Sequence, residues 1–432
     1  MAHRTHHRRK RNHRKPPAER LELTIQSLGR HGDGIAERDD SRVSGPIYVP
    51  FTLAGERIEA EVRGERASLV RVIDAAPERV EPPCPLFGQC GGCAVQHLEP
   101  SAYTLWKRGL IETALINRAI AAEVAPLIDA HGQGRRRVTL HVRFDGARVN
   151  VGFMRSRSHE LLKLERCPVL VPELSDIVAV VRALATPFTG AAGKLDFAVT
   201  TTDTGLDVDV RGAKDPDLKQ RMDLAEAAER LDVARLSVDG ELIAARRMPQ
   251  IAMGLSKLTP PPSGFLQATS AGEQVLSDII IAAMPGAGRV ADLFCGVGPF
   301  TLRLAPEHPV DAYDSDAVAL AALDQALRHT PELKAVSVVR RDLFESPLSV
   351  DDLKNYGAII FDPPRAGAEA QARELAESSV PVIIAVSCEP ATFARDAEIL
   401  IQGGYSLESV SPVDQFKYTS HVEMIGVFKR VD

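Results

Sequence analysis

Hydrophobic and polar positions alternate at different periods in different parts of this chain. Between residues 21 and 77 the runs are short and follow a period of two, as in LELTIQSL, RIEAEV and ASLVRVI. Alternation of that kind turns one face of a strand to a core and the other to water. Glycines in GRHGDGIAE and RVSGPIYVP supply turns between the runs. The pattern predicts a small β-barrel over 21–77, closed off by Ala76-Pro77 and Glu81-Pro82-Pro83. Residues 78–264 read as a central α+β domain. RRRVTLHVRF and ARVNVGFM predict a hairpin around Asp145-Gly146, and KLDFAVTTTDTGLDVDVRG predicts another that turns at Asp203-Thr204-Gly205. SAYTLWKRGLIETALINRAI has helical spacing, and the helix it predicts within 100–125 is expected to pack on the domain that follows. From 265 to 432 strands alternate with helices. GRVADLF, PVDAY, VSVVRRD, GAIIFDPP and PVIIAVSC are strand-like, and YSLESVSPVD with HVEMIGVFKR predicts an antiparallel pair at the sheet edge. The fold class is therefore α/β, a Rossmann-like domain with a parallel sheet and helices on both faces.

Composition narrows the setting. No run of about 18 apolar residues is present, so no transmembrane helix is expected. The basic N-terminus lacks the apolar stretch of a secretory signal. Six unevenly spaced cysteines in 432 residues do not make a secreted disulfide framework, which points to the cytoplasm. The net charge of −6 argues against a nucleic-acid partner, but residues 1–20 are dominated by basic side chains, with one acid, Glu19. A block of that kind cannot bury a core and reads as a disordered arm that follows phosphates.

The loop Asp292-Leu-Phe-Cys-Gly296-Val-Gly298-Pro299 sits between a predicted strand and helix. Glycines let the backbone turn tightly and approach a ligand, and Pro299 suits a first helical turn. The loop lacks the third glycine of a dinucleotide fingerprint. D-x-F-x-G-x-G is similar to the S-adenosylmethionine loop of Rossmann-like methyltransferases. Asp314 ends the next strand at the distance where a ribose diol would be held. Asp342 ends the one after it, near where an adenine would lie.

Phe361-Asp362-Pro363-Pro364-Arg365 and Ser387-Cys388 end the two following strands, at the edge where open α/β sheets bind ligands. Glu423 begins the last strand. One thiol and one carboxylate beside a methyl donor meet a specific chemical demand. Carbon 5 of uracil is a poor nucleophile until a thiolate adds to carbon 6, and a base must then remove the carbon-5 proton so that the thiol can leave. Cys388 is the candidate nucleophile and Glu423 the candidate base. Cys295, inside the cofactor loop, is expected to pack rather than react. Cys84, Cys90 and Cys93 form C-x5-C-x2-C, and Cys167-Pro168 is distant. Three clustered thiols and one remote one suggest a four-cysteine metal site, with zinc and an iron–sulfur cluster both open from spacing.

Taken together these residues resemble the bacterial RNA uracil-5-methyltransferases, in the branch that acts on 23S ribosomal RNA. The resemblance covers nearly everything after the basic segment. CPLFGQCGGCAVQHL resembles the family's cluster segment and VGFMRSRSHELLKLERCP the segment with the fourth ligand. This implies a [4Fe-4S] cluster on Cys84, Cys90, Cys93 and Cys167, and a TRAM domain, a small OB-like β-barrel, at 21–77. GFLQ resembles the F-x-Q that opens the catalytic domain, which implies that Gln267 contacts cofactor or target base. DLFCGVGPF implies an S-adenosylmethionine site on Asp292, Phe294, Gly296, Gly298, Asp314 and Asp342, joined by Asp362 and Gln267. DPPRAG, VSCEPATFARD and HVE imply Asp362 beside the target base, Cys388 as nucleophile and Glu423 as base. The implied partner is 23S ribosomal RNA, met by the basic segment and the TRAM-like domain of a monomer, with no membrane. The sequence departs from the family pattern at Glu389, where asparagine is usual, at Thr269-Ser270, and at Phe416-Lys417-Tyr418-Thr419 in place of F-P-x-T. Other readings are a transfer RNA uridine-5-methyltransferase, a cytosine-5 methyltransferase and a non-catalytic RNA-binding assembly factor. The Cys388–Glu423 pair weighs against the last.

Overall fold

The period-two runs at the N-terminal end form six strands: β1 (Glu19–Thr24), β2 (Ser27–Leu28), β3 (Asp33–Glu37), β4 (Pro46–Pro50), β5 (Arg57–Arg63) and β6 (Arg66–Asp74). The computed structural model describes residues 18–37, 45–190, 193–284, 286 and 288–431. Residues 1–17, most of the predicted basic arm, lie outside the described residues, as do 42–44 at the start of RVSGPIYVP. The six strands make one sheet in the order β1-β5-β6-β4-β3-β2. In β5 the apolar Ile58, Ala60 and Val62 are buried between exposed or half-buried polar neighbours, and they join Leu23, Ile47 and Val49 in one core. With residues 94–102 these strands form the first of two compact units.

The second unit takes residues 83–93 and everything from Tyr103 on. Helix α1 (Pro100–Ile116) sends Ile111 and Leu115 into the core of the C-terminal sheet, and β7 (Ile128–Asp129) adds a strand to that sheet. Both predicted hairpins form within a seven-stranded sheet made by β8 (Arg137–Asp145), β9 (Arg148–Met154), β10 (Leu161–Lys163), β11 (Lys194–Thr202), β12 (Gly205–Arg211), β13 (Arg235–Val238) and β14 (Glu241–Ala245). Its order is β10-β9-β8-β11-β12-β13-β14, with Asp145 opposite Arg148 and Thr202 opposite Gly205. Helices α2 (Ile177–Ala185) and α3 (Leu218–Arg230) bury their apolar faces in its core. A capping box between Asp217 and Gln220 starts α3. A short pair, β15 (Ile251–Met253) and β16 (Ser256–Leu258), follows.

From α4 (Ser270–Ala282) the chain alternates as the sequence predicts. The elements are β17 (Val290–Leu293), α5 (Pro299–Leu304), β18 (Val310–Asp314), α6 (Ala317–Arg328), β19 (Val336–Arg340), α7 (Val350–Leu353), β20 (Ala358–Phe361), α8 (Glu369–Glu377), β21 (Val382–Ser387), α9 (Pro390–Gln402), β22 (Tyr405–Asp414) and β23 (Glu423–Arg430). The sheet order is β19-β18-β17-β20-β21-β23-β22-β7. Strands β17 to β21 pair in parallel, and β23 runs antiparallel between β21 and β22. β18 and β20 flank β17 on opposite sides, so the strand order reverses there, and ligands of such sheets bind outside the carboxyl ends at that reversal. Because β23 is antiparallel, its beginning lies at the same edge as the ends of β20 and β21. Among the described residues no helix is long and apolar enough to cross a membrane.

Candidate active site

The loop after β17 is held by its own geometry. Gly296 and Gly298 have φ of 55° and 76°, in the left-handed region that costs a side chain energy. A Cβ on Gly298 would also lie 2.5 Å from Leu323 Cδ1. Gly298 caps α5 and Pro299 occupies its first turn. Asp314, at the end of β18, accepts the Gly296 N–H at 2.8 Å and, through its other oxygen, the Asp316 N–H at 2.8 Å. Phe294 is itself left-handed at φ 62°, and its ring meets Phe344 with centroids 5.3 Å apart. Asp342, expected near an adenine, is exposed and accepts the Phe344 N–H at 3.0 Å, so it shapes the turn that carries that ring.

Asp292 is fully buried. One oxygen takes the Thr301 N–H at 3.0 Å and its hydroxyl at 2.6 Å, while Oδ1 has no protein partner. Burial pushes its pKa up to about 7, the Thr301 bonds oppose this, and the Asp314 charge adds to it. A buried acceptor without a donor is costly unless a ligand supplies one. The ammonium of an amino-acid moiety is such a donor, and with the glycine turn and the Phe294–Phe344 pair it makes these residues fit S-adenosylmethionine. Cys295 is 4% exposed, packs with Val297, Leu302 and Leu320, and burial holds its thiol well above the usual range.

The expected chemical residues come together on the other side of the strand reversal. Asp362 follows β20, and its N–H donates to Leu293 O at 3.2 Å. Its pKa is pushed up to about 7 by burial, with the Asp292 charge adding to the effect. Ser387 pairs with Met424, which places Cys388 across from Glu423. Cys388 is half-buried, and its thiol is raised to about 11 by burial and by the charges of Glu423 and Asp362, against the pull of Arg365. Glu423 is raised to about 8 by burial and by Asp362, against a Gln415 hydrogen bond and the charges of Lys107 and Arg365. Gln267 is buried, and its Nε2 lies 3.5 Å from Asp362 Oδ2. Arg365 is exposed, with Nη2 3.0 Å from His421 Nε2.

The departures from the family pattern have structural roles. The Thr269 hydroxyl caps α4 by accepting the Gly272 N–H at 2.9 Å, and it donates to Ala130 O at 2.7 Å. Glu389 is the N-cap residue of α9, with Pro390 in the first turn. Lys417 pairs with Asp129 at 3.2 Å, and Tyr418 is left-handed at φ 66°.

Sequence reasoning missed the anchor of the segment before Glu423. Lys107 of α1 is fully buried and donates to Asp414 Oδ1 at 2.9 Å and to the carbonyl of His421. Tyr103 donates to Asp414 Oδ2 at 2.5 Å and accepts the Tyr418 N–H at 3.0 Å. The signal was present: Tyr103, Lys107, Ile111 and Leu115 are the buried stripe of α1, at a spacing of four, and a lysine there needs a buried partner. Gln415 and Phe344 were missed as well.

The fold brings the remote Cys167 near the 83–93 segment. Cys90 and Cys167 are raised by burial; the Cys84 charge adds to the first, and the Cys90 and Cys84 charges add to the second. Gly91 donates to Met154 O at 3.1 Å, which ties the segment to β9. Among the described residues no group of three or more His, Cys, Asp or Glu converges to hold a metal ion. The donor set is all thiol, and its mutual repulsion would be relieved by a cationic centre.

Comparison with known proteins places this arrangement in a family. Residues 263–431 match the model of the tRNA (uracil-5-)-methyltransferases. The chain is 44% identical over 409 residues to an uncharacterised RNA methyltransferase of Brucella suis, covering 95% of this chain and 98% of the relative. It is 32% identical over 449 residues to the 23S rRNA (uracil(1939)-C(5))-methyltransferase of Halomonas elongata, covering 96% of this chain and 90% of the relative. In fold it resembles the Pyrococcus abyssi tRNA (uracil-54, C5)-methyltransferase solved with S-adenosyl-L-homocysteine, with a TM-score of 0.72, 20% identity, and coverage of 94% and 100% of the two chains. The chain belongs to the RNA uracil-5-methyltransferase family, enzymes that use S-adenosylmethionine.

Proposed function

We propose that this protein methylates carbon 5 of a uridine in 23S ribosomal RNA through a covalent adduct of Cys388. The observation that carries the reading is the convergence of Cys388, Glu423 and Asp362 at one sheet edge, close enough that Glu423 and Asp362 both raise the Cys388 thiol and Asp362 raises Glu423. The Cys388 thiolate adds to carbon 6, and the ring electrons pass into an enolate whose nucleophilic atom is carbon 5. S-adenosylmethionine supplies the methyl group from its sulfonium. Glu423 then takes the carbon-5 proton, the ring double bond reforms, and the carbon–sulfur bond breaks to release the thiolate. Gln267 and Asp362 present an amide donor and a carboxyl acceptor to the polar edge of the base. Arg365 offers the positive charge that favours the thiolate.

The ribosomal target is supported by the Halomonas relative, whose name specifies 23S rRNA, and by the six-stranded first unit, read as a TRAM-type RNA-contact module. The basic segment 1–20 is read as a second RNA contact. We assign Cys84, Cys90, Cys93 and Cys167 to a [4Fe-4S] cluster, which would cross-link residue 167 to the 84–93 segment and take no part in the uracil chemistry. Iron and sulfide analysis of anaerobically purified protein tests that assignment: about four irons per chain are expected, and one zinc without iron would refute it. The target is tested by mass mapping of methylated nucleotides in RNA from a deletion strain. Loss of one 5-methyluridine from 23S ribosomal RNA is expected; loss from transfer RNA instead would overturn the ribosomal assignment.

A further inference from the structure

Glu273, Arg136 and Arg303 take no part in the steps above, yet they join the segment that carries Gln267 to the cofactor loop. Glu273 lies in the first turn of α4 and is 1% exposed. Its Oε2 accepts Arg136 Nη2 at 2.5 Å, and its Oε1 accepts Arg303 Nη2 at 2.7 Å. Arg136 stands immediately before β8 and is buried as well. Its Nε donates to Gln267 O at 3.0 Å, and its backbone N–H donates to Ala268 O at 3.0 Å. Arg303 lies on α5, and its Nη1 donates to Pro299 O at 2.9 Å. Pro299 opens that helix directly after Gly298, and Thr301 of the same helix holds the Asp292 carboxyl. A continuous line of hydrogen bonds therefore runs from the Gln267 carbonyl, through one carboxylate, to the helix that ends the cofactor loop.

Apolar packing already holds the two helices together, because Leu276 and Ile280 of α4 share a core with Phe300 and Leu304 of α5. Packing of that kind has no preferred direction. Two guanidinium groups on one carboxylate are costly to bury, and what they add is direction, since a planar fork meets its partner in a fixed geometry. Each fork also gives an N–H to a backbone carbonyl, so that geometry is passed to the main chain on both sides. We propose that Glu273 is a positioning residue for methyl transfer: through Arg136 and Arg303 it holds the Gln267 backbone and the first turn of α5 in one fixed relation, so that methyl donor and target base meet in line. The proposal rests on the reading of Gln267 as a contact to the target base. Transfer needs the sulfonium methyl and carbon 5 aligned near contact, and a misplacement of about 1 Å costs on the order of a hundredfold in rate. Cofactor and base are held by different segments, so each can bind normally while their alignment is wrong.

Arg303→Met removes the tether to α5 and leaves the Arg136–Glu273 pair in place. Full-length protein is mixed with saturating methyl-labelled S-adenosylmethionine and in vitro transcribed 23S ribosomal RNA that contains 5-fluorouridine. Carbon 5 of that base carries no proton to lose, so the methylated adduct persists, and its rate of appearance reads the steps up to methyl transfer. That rate should fall about ten- to a hundredfold. The dissociation constants of S-adenosylhomocysteine and of the RNA should stay within about threefold of wild type, a split that a merely structural role would not give. Arg303→Lys keeps a cation facing Glu273 and should recover most of the rate. Should the methionine variant fail to fold, Glu273→Gln removes the charge that both forks share, and the same split is expected. A wild-type rate in a folded variant, or a slow rate that excess S-adenosylmethionine restores, overturns the role of Glu273 alone. A wild-type protein that forms no labelled adduct refutes the uracil chemistry, and the proposal with it.

Discussion

Two loops at the same sheet edge each carry a cysteine, and they are built in opposite ways. After β17, Cys295 is packed among Val297, Leu302 and Leu320, and the surrounding loop is set by glycine conformation and by backbone N–H groups bound to Asp314. After β21, Cys388 is half-buried, faced by Glu423 and Asp362, and within reach of Arg365. The first loop is a preformed cradle whose thiol is sealed off from reaction. The second concentrates groups whose burial works against their ionisation. A thiol's neighbours, rather than its place on a sheet edge, decide whether it packs or reacts.

Replacing the two cysteines in turn breaks this comparison most directly. Cys388→Ala should lower methyl transfer by more than about 10⁴-fold while S-adenosylmethionine binding persists. Cys295→Ala should keep activity within a few-fold and lose about 1–2 kcal/mol of stability, because only packing is removed. Methyl incorporation and thermal melting of both variants are the measurements. If Cys295→Ala abolished activity with cofactor still bound, the contrast between the loops would be wrong.

A smaller effect sharpens the cradle half. Gly298→Ala adds a Cβ at φ 76° and 2.5 Å from Leu323 Cδ1, so the loop must shift. Cofactor affinity measured by calorimetry should fall roughly tenfold or more. Affinity equal to wild type would mean that the turn does not shape the cofactor site.

The smallest effect concerns stability at the chemical half. The usual glutamate pKa of 4.5 becomes about 8 at Glu423. Between those values the unfolded chain ionises and the folded chain holds its proton, so this residue costs stability as pH rises. Glu423→Gln should therefore melt above wild type by on the order of a few degrees at pH 8, with little difference near pH 4. The same gain at both pH values would mean that the side chain's packing, not its proton, sets the difference.

Much of the site was legible because its residues sit where strands end. Asp292, Asp314, Asp362 and Cys388 lie at or just beyond the carboxyl ends of β17, β18, β20 and β21, and the strand pattern alone puts them on one edge. The antiparallel order that returns Glu423 to that edge was legible in the two terminal runs. β7 was not legible: it is two residues long, too short to carry a period, and it joins the C-terminal sheet only by pairing with β22. Gln415 was hidden for a related reason. Its partners Gln267 and Ala268 are joined to it only by tertiary pairing, and a lone glutamine at the end of a strand carries no period or motif. The sequence placed four thiols in two segments, and the structure brings those segments near each other without a group that converges on a metal ion among the described residues.

The central claim, that Cys388 attacks and Glu423 releases, is tested most directly by trapping with Glu423→Gln. Incubated with 23S ribosomal RNA and methyl-labelled S-adenosylmethionine, this variant should accumulate a protein–RNA adduct that runs as a shifted, labelled band on a denaturing gel. The double variant with Cys388→Ala should show no such band. Normal turnover by Glu423→Gln, or a labelled adduct that survives loss of Cys388, would contradict the account.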